Sequence, residues 1–252
     1  MPKTPFHTFE SPAAACKIVA AEIAGLIRSR NESGQSVVLG LATGGTPIPL
    51  YQELIRLHRE EGLSFKNVIT FNLDEYLGLP REHAESYWTF MHRNLFDHID
   101  IPEENIHLPS GIIPPAEITA HCAEYENAIA AAGGIDFQVL GIGRTGHIGF
   151  NEPGTPITSR THKIHLDPIT REDAAPAFGG LENVPTEAIT MGCGTILDAR
   201  MIVLLAWGEK KADIVQQAIE GEITDQISAS FLQTHPDATF ILDEGAASRL
   251  PY

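Results

Sequence analysis

The apolar positions of the chain fall into two patterns, short continuous runs and longer segments with apolar residues at helical spacing. Continuous runs predict strands buried on both faces, and helical spacing predicts amphipathic helices. The predicted strands cover residues 36–42, 68–74, 137–142, 163–166, 201–206 and 239–242. The predicted helices cover residues 13–27, capped by Ser11, and residues 48–58, 83–98, 116–132, 210–220 and 229–232.

The alternation of strands and helices favours an α/β fold with a mainly parallel central sheet and helices on both faces. No linker, repeat or low-complexity tract divides the sequence, so we expect a single doubly wound domain over residues 1–252. In such a sheet, ligands bind beyond the carboxyl ends of the strands. Three segments rich in glycine and polar residues, at 43–46, 72–76 and 143–152, fall at such ends. We expect them to converge on one site.

The composition limits the classes of partner. Hydrophobic residues make up 43% of the chain and charged residues 20%, as in ordinary globular enzymes. The net charge of −16 opposes binding to nucleic acid or to an anionic membrane, although a small anionic substrate feels only the field of its pocket. No apolar run approaches the roughly 20 residues of a membrane span, and the amino terminus lacks a signal-peptide core. We therefore expect a cytoplasmic protein.

The cysteines and histidines give no metal-binding pattern. Cys16, Cys122 and Cys193 are widely spaced without a C-x-x-C motif, and we expect them to be reduced and buried. The eleven histidines include no H-E-x-x-H motif, and His162 and His165 form only a lone pair in a strand-like segment. The sequence thus predicts neither a metal site nor a disulfide framework.

The segment 137–155 carries the strongest chemical signal. Gly141, Gly143 and Gly146 follow a predicted strand, and His147 and Glu152 stand directly behind them. A carboxylate that orients an imidazole makes an acid–base pair suited to catalysis near neutral pH. The glycines also match G-x-G-x-x-G, but a dinucleotide site needs a helix next, where this chain has two prolines. A structural glycine turn with a buried histidine is the remaining alternative.

A second segment has the composition of an anion-binding loop. Thr43, Gly44, Gly45 and Thr46 lie between a predicted strand and a predicted helix. Free backbone N–H groups, hydroxyl groups and the helix dipole together favour a phosphate there. A plain helix start, with Thr46 as the N-cap and Pro47 at the first helical position, is compatible with the same residues.

Two further strand ends carry charged residues. Asp74 and Glu75 are adjacent at the end of one strand, where desolvation in a pocket could make one of them a proton-abstracting base. The alternative is a pair of solvated acids at a helix start. Lys210 and Lys211 follow the strand 201–206, where either could hold a phosphate or simply lie on the surface.

These segments, in this order, resemble the glucosamine-6-phosphate deaminase family over residues 36–244. The most specific likeness lies in Gly146-His-Ile-Gly-Phe-Asn-Glu-Pro together with Phe71-Asn-Leu-Asp-Glu-Tyr. The resemblance implies a small-molecule amino-sugar phosphate as substrate, converted with water from glucosamine 6-phosphate to fructose 6-phosphate and ammonia. It implies no metal and no organic cofactor, and it leaves homo-oligomerisation open.

The resemblance also implies roles for particular residues. His147 would assist the opening of the pyranose ring, with Glu152 holding its imidazole. Asp74 would take the proton from C2 and return it at C1. The phosphate would be bound by Thr43, Gly44, Gly45, Thr46 and Lys211.

The sequence departs from the well-known allosteric members of this family in three places. Thr145 replaces an aspartate beside the histidine, so the orientation of the imidazole should rest more heavily on the remaining carboxylate. Pro176 stands near the place of a lid arginine that reaches the phosphate, and Arg171 is a candidate substitute. His162 and Ile164 stand where the basic pair of the allosteric pocket falls, so we expect no activation by N-acetylglucosamine 6-phosphate.

Two alternatives to this function stay open. One is an isomerase or deaminase that acts on another amino-sugar phosphate. The other is a non-catalytic domain that senses a sugar phosphate, although such a domain would have no need for Asp74, His147 and Glu152 together.

Overall fold

Seven parallel strands form the central sheet in the computed structural model, which describes residues 4–251. Residues 1–3 and 252, including part of the amino terminus examined for a signal peptide, lie outside the described residues, and the expectation of one domain over 1–252 stays a prediction. In chain order the strands of this sheet are β1 (Phe6–Phe9), β2 (Val37–Leu41), β3 (Val68–Asn72), β5 (Ile106–His107), β6 (Phe137–Leu140), β9 (Met201–Ala206) and β10 (Ala238–Asp243). Their order in space is β1-β10-β9-β6-β2-β3-β5.

A smaller antiparallel sheet lies beside the carboxyl edge of the central one. Its strands are β4 (Asp74–Tyr76), β7 (His162–His165) and β8 (Glu187–Thr190), in the order β4-β8-β7. The chain passes directly from β3 into β4 through Leu73. Its amide donates to the Leu41 carbonyl at 3.1 Å, and its carbonyl accepts from the Met191 amide at 2.6 Å. This crossing places Asp74 just beyond the end of β3.

Helices cover both faces of the central sheet, as the sequence pattern predicts. They are α1 (Pro12–Glu32), α2 (Ile48–Glu61), α3 (Tyr87–Asn94), α4 (Ile118–Ala131), α5 (Pro168–Phe178), α6 (Cys193–Leu197), α7 (Ala212–Glu220) and α8 (Glu244–Ala247). The α1, α2 and α3 helices share one hydrophobic core, and α4, α6, α7 and α8 share the other. The doubly wound α/β class is confirmed.

The β2 strand shows why continuous apolar runs predict this layering. Val37, Leu39 and Leu41 lie in the core under α1 and α2, whereas Val38 lies in the opposite core under α4 and α7. Because side chains of a strand alternate between the two faces of a sheet, both sets must be apolar when both faces are covered.

Several elements differ from the sequence-based expectations. The β1, β4, β5 and β8 strands were not predicted, and the predicted strand 163–166 belongs to the antiparallel sheet rather than to the central one. The α5 helix was also missed, because Pro168 and Pro176 resemble helix breakers. Pro168 occupies the first turn, where it is tolerated, and Asp167 caps the helix by accepting from the Ile169 amide at 2.8 Å.

The predicted helix 83–98 is shorter in the structure. It starts at Tyr87 with Ser86 as the cap, and a 3-10 turn, Phe96–His98, follows it. Residues Ser228–Thr234 likewise form a 3-10 helix rather than an α-helix. No helix within residues 4–251 is long and apolar enough to cross a membrane.

Gly40 on β2 gives a test of core packing. A Cβ atom at this position would lie 2.0 Å from Oε1 of Gln138, a side chain on β6 that is fully buried. We expect Gly40→Ala to lower the free energy of unfolding by about 1–3 kcal/mol, the usual cost of overpacking a core. Urea denaturation measures the difference.

Gly25→Ala is the matched control for that variant. Gly25 is an exposed position within α1, and a Cβ there meets no atom within 4 Å. We expect this substitution to raise stability by about 0.5–1 kcal/mol, because glycine lowers helix stability relative to alanine. Equal effects of the two substitutions would contradict the packing argument.

Candidate active site

Three loops that follow the adjacent strands β6, β2 and β3 line one cavity of about 160 Å³. The convergence follows from parallel pairing, which brings the carboxyl ends of neighbouring strands to the same edge. The lining residues are Ala42, Thr43, Thr46, Leu73, Asp74, Tyr87, Gly141, Ile142, Gly143, His147, Gly149 and Phe150. Four of the site residues expected from the sequence, Thr43, Thr46, Asp74 and His147, therefore share one cavity.

The loop 43–46 is held from its two ends by side chains of other elements. The Tyr51 hydroxyl donates to the Ala42 carbonyl, and Nε1 of Trp207 donates to the Thr46 carbonyl at 3.0 Å. Gly44 and Gly45 lie exposed between these anchors, and Gly44 has a φ of +90°, a conformation that favours glycine.

The start of α2 leaves this loop available to a ligand. The helix begins at Ile48 with Pro47 as its cap residue, so the alternative of Thr46 as the N-cap is wrong. Within the described chain, the amides of residues 43–46 donate to no protein acceptor. Unpaired amides beside a helix N-terminus are a favourable environment for an anion.

Asp74 is the carboxylate that faces the cavity. It is only 5% exposed, and no donor within residues 4–251 forms a hydrogen bond with its carboxylate oxygens. Burial, and secondarily the charge of Glu75, raises the pKa of Asp74 well above its ordinary value. A desolvated carboxylate without hydrogen-bond donors is a stronger base than the same group in water.

The adjacent Glu75 points instead to the start of α3. Its carboxylate accepts from the amides of Tyr76 at 2.9 Å, Tyr87 at 3.0 Å and Trp88 at 3.1 Å. Burial raises the pKa of Glu75 to about 7, against the effect of these three donors. The ambiguity between the two neighbouring acids is thereby resolved, since Glu75 holds a helix and Asp74 faces the pocket.

His147, Glu152 and Thr145 form a compact group. Nδ1 of His147 lies 3.0 Å from Oε2 of Glu152 and 2.9 Å from Oγ1 of Thr145, which is itself 3.5 Å from the same carboxylate oxygen. With the Nδ1 proton donated to the carboxylate, Nε2 is left as the nitrogen available for chemistry in the cavity. Glu152 and Thr145 thus lie one hydrogen bond behind the cavity wall.

Glu152 is held as an anion by its surroundings. Burial alone would raise its pKa, but the hydrogen bond and charge of His147 outweigh that effect, with help from the Asp167 amide, and the pKa of Glu152 is lowered. The Asp167 amide donates to its second oxygen, Oε1, at 3.1 Å. An ionised Glu152 fixes the imidazole and stabilises its Nδ1 proton.

Gly143 is required for the position of this imidazole. A Cβ atom on Gly143 would lie 2.2 Å from Nε2 of His147, so only glycine lets the backbone approach the ring this closely. The Gly143 amide also donates to the His147 carbonyl at 3.0 Å, which closes the loop on itself.

The sequence analysis missed several residues that support the site. Tyr87 lines the cavity, and burial raises the pKa of its hydroxyl well above the ordinary value. The Ser228 hydroxyl accepts from the Ile148 amide at 3.2 Å and donates to the Asn151 carbonyl at 2.9 Å. A serine at the start of a 3-10 helix far along the sequence carries no local signal of such a contact.

The two lysines after β9, Lys210 and Lys211, have different surroundings. Lys210 is exposed, whereas Nζ of Lys211 donates to the Ile142 carbonyl at 2.7 Å, directly behind the cavity wall. Burial lowers the pKa of Lys211. Lys211 is therefore the lysine that can place positive charge near the loop 43–46.

Arg171 does not take the place of a phosphate-binding lid residue. Its guanidinium donates to the carbonyls of Leu181 and Val184 at 3.0 Å and of Pro185 at 3.2 Å. These bonds tie α5 to the segment that follows it, so the expectation that Arg171 could substitute at the phosphate is wrong.

The positions linked to allosteric control also have other contacts. His162 lies near the Arg160 carbonyl, with Nδ1 at 2.8 Å, and Ile164 packs beside Tyr76 and Phe150. The absence of activation by N-acetylglucosamine 6-phosphate stays a prediction. Among residues 4–251, no three His, Cys, Asp or Glu side chains are grouped so that they could hold a metal ion.

The comparison with known families decides the relationship of the chain. The profile of the family described as glucosamine-6-phosphate isomerases/6-phosphogluconolactonase matches residues 10–241. The chain belongs to this family. Members with similar sequences include the glucosamine-6-phosphate deaminase of Shouchella clausii, 50% identical over 91% of this chain and 92% of the relative. The glucosamine-6-phosphate deaminase of Bacillus pumilus is 49% identical over 90% of this chain and 93% of the relative.

Solved structures of the family extend this relationship. A monomeric glucosamine-6-phosphate deaminase superposes with a TM-score of 0.92, at 42% identity, over 97% of this chain and 99% of the other. The 6-phosphogluconolactonase of Trypanosoma brucei superposes with a TM-score of 0.79 over the whole of both chains, at 18% identity. The second comparison shows a shared fold alone.

The environment of Asp74 predicts a gain in stability when its charge is removed. Because the folded-state pKa is raised, the ionised carboxylate destabilises the fold at every pH above the unfolded value of about 4. We expect Asp74→Asn to raise the free energy of unfolding at pH 7.5. The gain should shrink as the pH falls and vanish below about pH 4, where both states are protonated.

Glu75→Ala is the contrasting variant. Urea denaturation measures the free energy of unfolding of both variants. Below about pH 4, Glu75 is uncharged in both the folded and the unfolded state, so the gain from removing its charge vanishes. There the variant leaves part-buried amides at the start of α3 without an acceptor, and we expect a loss of about 0.5–2 kcal/mol. A loss of stability in Asp74→Asn at pH 7.5 would contradict the assignment of a destabilising buried charge.

Proposed function

We propose that this chain is a glucosamine-6-phosphate deaminase, which converts glucosamine 6-phosphate and water to fructose 6-phosphate and ammonia. The observation that carries the proposal is one cavity that combines the donor-free Asp74, the His147–Glu152 pair and the free amides of residues 43–46. The identity of 50% to a curated deaminase over nine-tenths of the chain supports the same reaction.

The phosphate of the substrate binds at the loop 43–46. Its oxygens accept hydrogen bonds from the loop amides and from the hydroxyls of Thr43 and Thr46, which line the cavity. Lys211 contributes positive charge from behind Ile142. This end of the cavity fixes the sugar so that its reacting carbons lie over the β3 and β6 loops.

His147 acts first, on the closed pyranose ring. Its Nε2 moves a proton between the anomeric hydroxyl and the ring oxygen, so the C1–O5 bond breaks and C1 becomes an aldehyde. Glu152 holds the ring through Nδ1 and stabilises the imidazolium that forms in passing. Thr145 supplies a hydroxyl at the same nitrogen, where it adds a hydrogen bond without a second charge.

Asp74 acts on the open-chain sugar. Its carboxylate takes the proton from C2 while the electrons shift into a C1=C2 bond and O1 gains a proton, which gives an enolamine. Asp74 then returns its proton to C1, and the nitrogen gives up the proton that balances the one gained by O1, which leaves an imine at C2. Water adds to this imine, and the C–N bond breaks to give the ketone and ammonia. Desolvation raises the basicity of Asp74, which favours abstraction of a weakly acidic carbon-bound proton.

Asp74→Asn tests the assignment of the base. We expect kcat for release of ammonia and fructose 6-phosphate to fall by about 10²–10⁴-fold, because an amide cannot accept the C2 proton. In D₂O, incorporation of solvent deuterium at C1 should fall with it.

The control for Asp74→Asn is Glu187→Gln, a surface carboxylate paired with Lys163. We expect it to leave turnover unchanged. Undiminished turnover in Asp74→Asn would rule out this mechanism, and turnover of a different amino-sugar phosphate in place of glucosamine 6-phosphate would reassign the substrate.

Gly143→Ala tests the placement of the imidazole. The new Cβ would lie 2.2 Å from Nε2 of His147, so the ring must move, and we expect kcat to fall by about 10²-fold. Gly25→Ala on α1 is the control and should keep full activity. A Gly143→Ala enzyme with normal kcat would show that the Nε2 position is not required.

A further inference from the structure

Arg144 bridges the catalytic loop and α5 through exposed ion pairs. It lies between Gly143 and His147 in sequence, and its side chain is 54% exposed. Its Nε lies 3.3 Å from Oδ2 of Asp173, and its Nη2 lies 3.9 Å from Oε2 of Glu172. Both acids belong to α5.

Lys211 belongs to the same group of charges. The pKa of Lys211 is lowered first by burial and further by the positive charge of Arg144, while Asp173 acts in the opposite direction. Arg144 and Asp173 are therefore close enough to Lys211 to interact with it, and Glu172 pairs with Arg144. We refer to these four residues as the charged cluster. Its two cations and two acids sum to no net charge.

The charged cluster is poorly matched to a phosphate in its present pairing. A phosphomonoester near pH 7 carries between one and two negative charges, and the two acids of the cluster repel it. Lys211 alone supplies a single charge, and its ammonium is already bonded to the Ile142 carbonyl. Arg171, the basic residue of α5, is committed to three carbonyls. Arg144 is the cation that can be released.

The release of Arg144 requires little energy. Ion pairs between exposed side chains contribute little to stability, because water screens them and the long side chains lose freedom. A guanidinium can instead bind a phosphate through two parallel hydrogen bonds, which is a stronger interaction than a contact with an exposed carboxylate. A phosphate in the cavity can thus compete with Asp173 and Glu172 for the same group.

We propose that Arg144 is the second phosphate-binding cation of this site and exchanges its pairing with Asp173 and Glu172 for the phosphate of the substrate. The identity of the sugar rests on the proposed function, but the exchange requires only a phosphate group. Asp173 and Glu172 then act as competitors that hold Arg144 beside α5 until the anion arrives.

A purely structural tether between the loop and α5 would behave differently. If Arg144 served only to hold α5, loss of either partner would break the same contact, and the two losses would act in the same direction. In the proposed exchange, loss of Arg144 weakens phosphate binding, whereas loss of the competing acid strengthens it. The signs of the two effects therefore distinguish the proposals.

The experiment compares Arg144→Ala, Arg144→Lys and Asp173→Asn by steady-state kinetics with glucosamine 6-phosphate. We expect Arg144→Ala to raise KM by about tenfold with kcat within about twofold, since a phosphate contact is made equally in the ground and transition states. Arg144→Lys should recover part of this loss, because it keeps the charge without the bidentate geometry. Asp173→Asn should lower KM.

The controls come from a similar exposed pair. Arg28 on α1 lies 3.3 Å from Glu61 on α2, and both side chains are nearly half exposed. Both lie near the carboxyl ends of their helices, away from the loops that line the cavity. Arg28→Ala changes the net charge by the same amount as Arg144→Ala, and Glu61→Gln by the same amount as Asp173→Asn. Both should leave KM unchanged, which separates a local effect from an effect of the overall charge of −16.

Inorganic phosphate serves as a second probe, independent of turnover. Its dissociation constant, measured by calorimetry on each variant, should follow the same order as KM. An Arg144→Ala variant that binds phosphate as tightly as the wild type would overturn the proposal, as would an Asp173→Asn variant with weakened binding. If the wild type bound phosphate with this dependence but did not turn over glucosamine 6-phosphate, the proposed function would fail and the role of Arg144 would stand.

Discussion

The passage of the chain through Leu73 is the constraint on which the site depends. At this single residue the backbone leaves the central parallel sheet and enters the antiparallel one, with one hydrogen bond to the end of β2 and one to Met191, directly after β8. Asp74 is carried to the boundary between the sheets, where backbone groups are already paired with one another. Its carboxylate is consequently buried without donors, which is the condition that makes it basic.

The contrast between Asp74 and Glu75 shows how neighbouring acids acquire different roles. Successive side chains of a strand point to opposite faces, so one carboxylate enters the cavity while the next reaches the start of α3. Glu75 is stabilised by three amides and contributes to the fold. Asp74 lacks such partners, so its charge lowers the stability of the fold while its basicity is raised.

The sequence predicted the parts of this protein that depend on local pattern. The buried runs of β2, β3, β6 and β9 were evident from their continuous apolar residues, and glycine-rich segments at strand ends indicated the site. The β5 strand was not, because two residues give no periodicity, and β8 was not, because its four residues mix polar and apolar types.

The remaining details of the site depend on tertiary contacts. Nothing local to Tyr87 shows that it will line the cavity, or that Trp207 will hold the Thr46 carbonyl. The hydrogen bonds of Arg171 are a similar case. Its guanidinium meets three carbonyls only because the chain folds back after α5.

Glu152 joins two parts of the molecule through its two oxygens. One oxygen contacts the imidazole of His147, and the other accepts from the amide of Asp167, the residue that caps α5. Since the two oxygens of a carboxylate are separated by a fixed distance, a shift at the start of α5 must alter the tilt of the ring or break one of the bonds. The angle of the imidazole and the position of α5 are therefore coupled through one side chain. An aspartate at this position, one methylene shorter, would draw the carboxylate back toward its own backbone and away from both contacts.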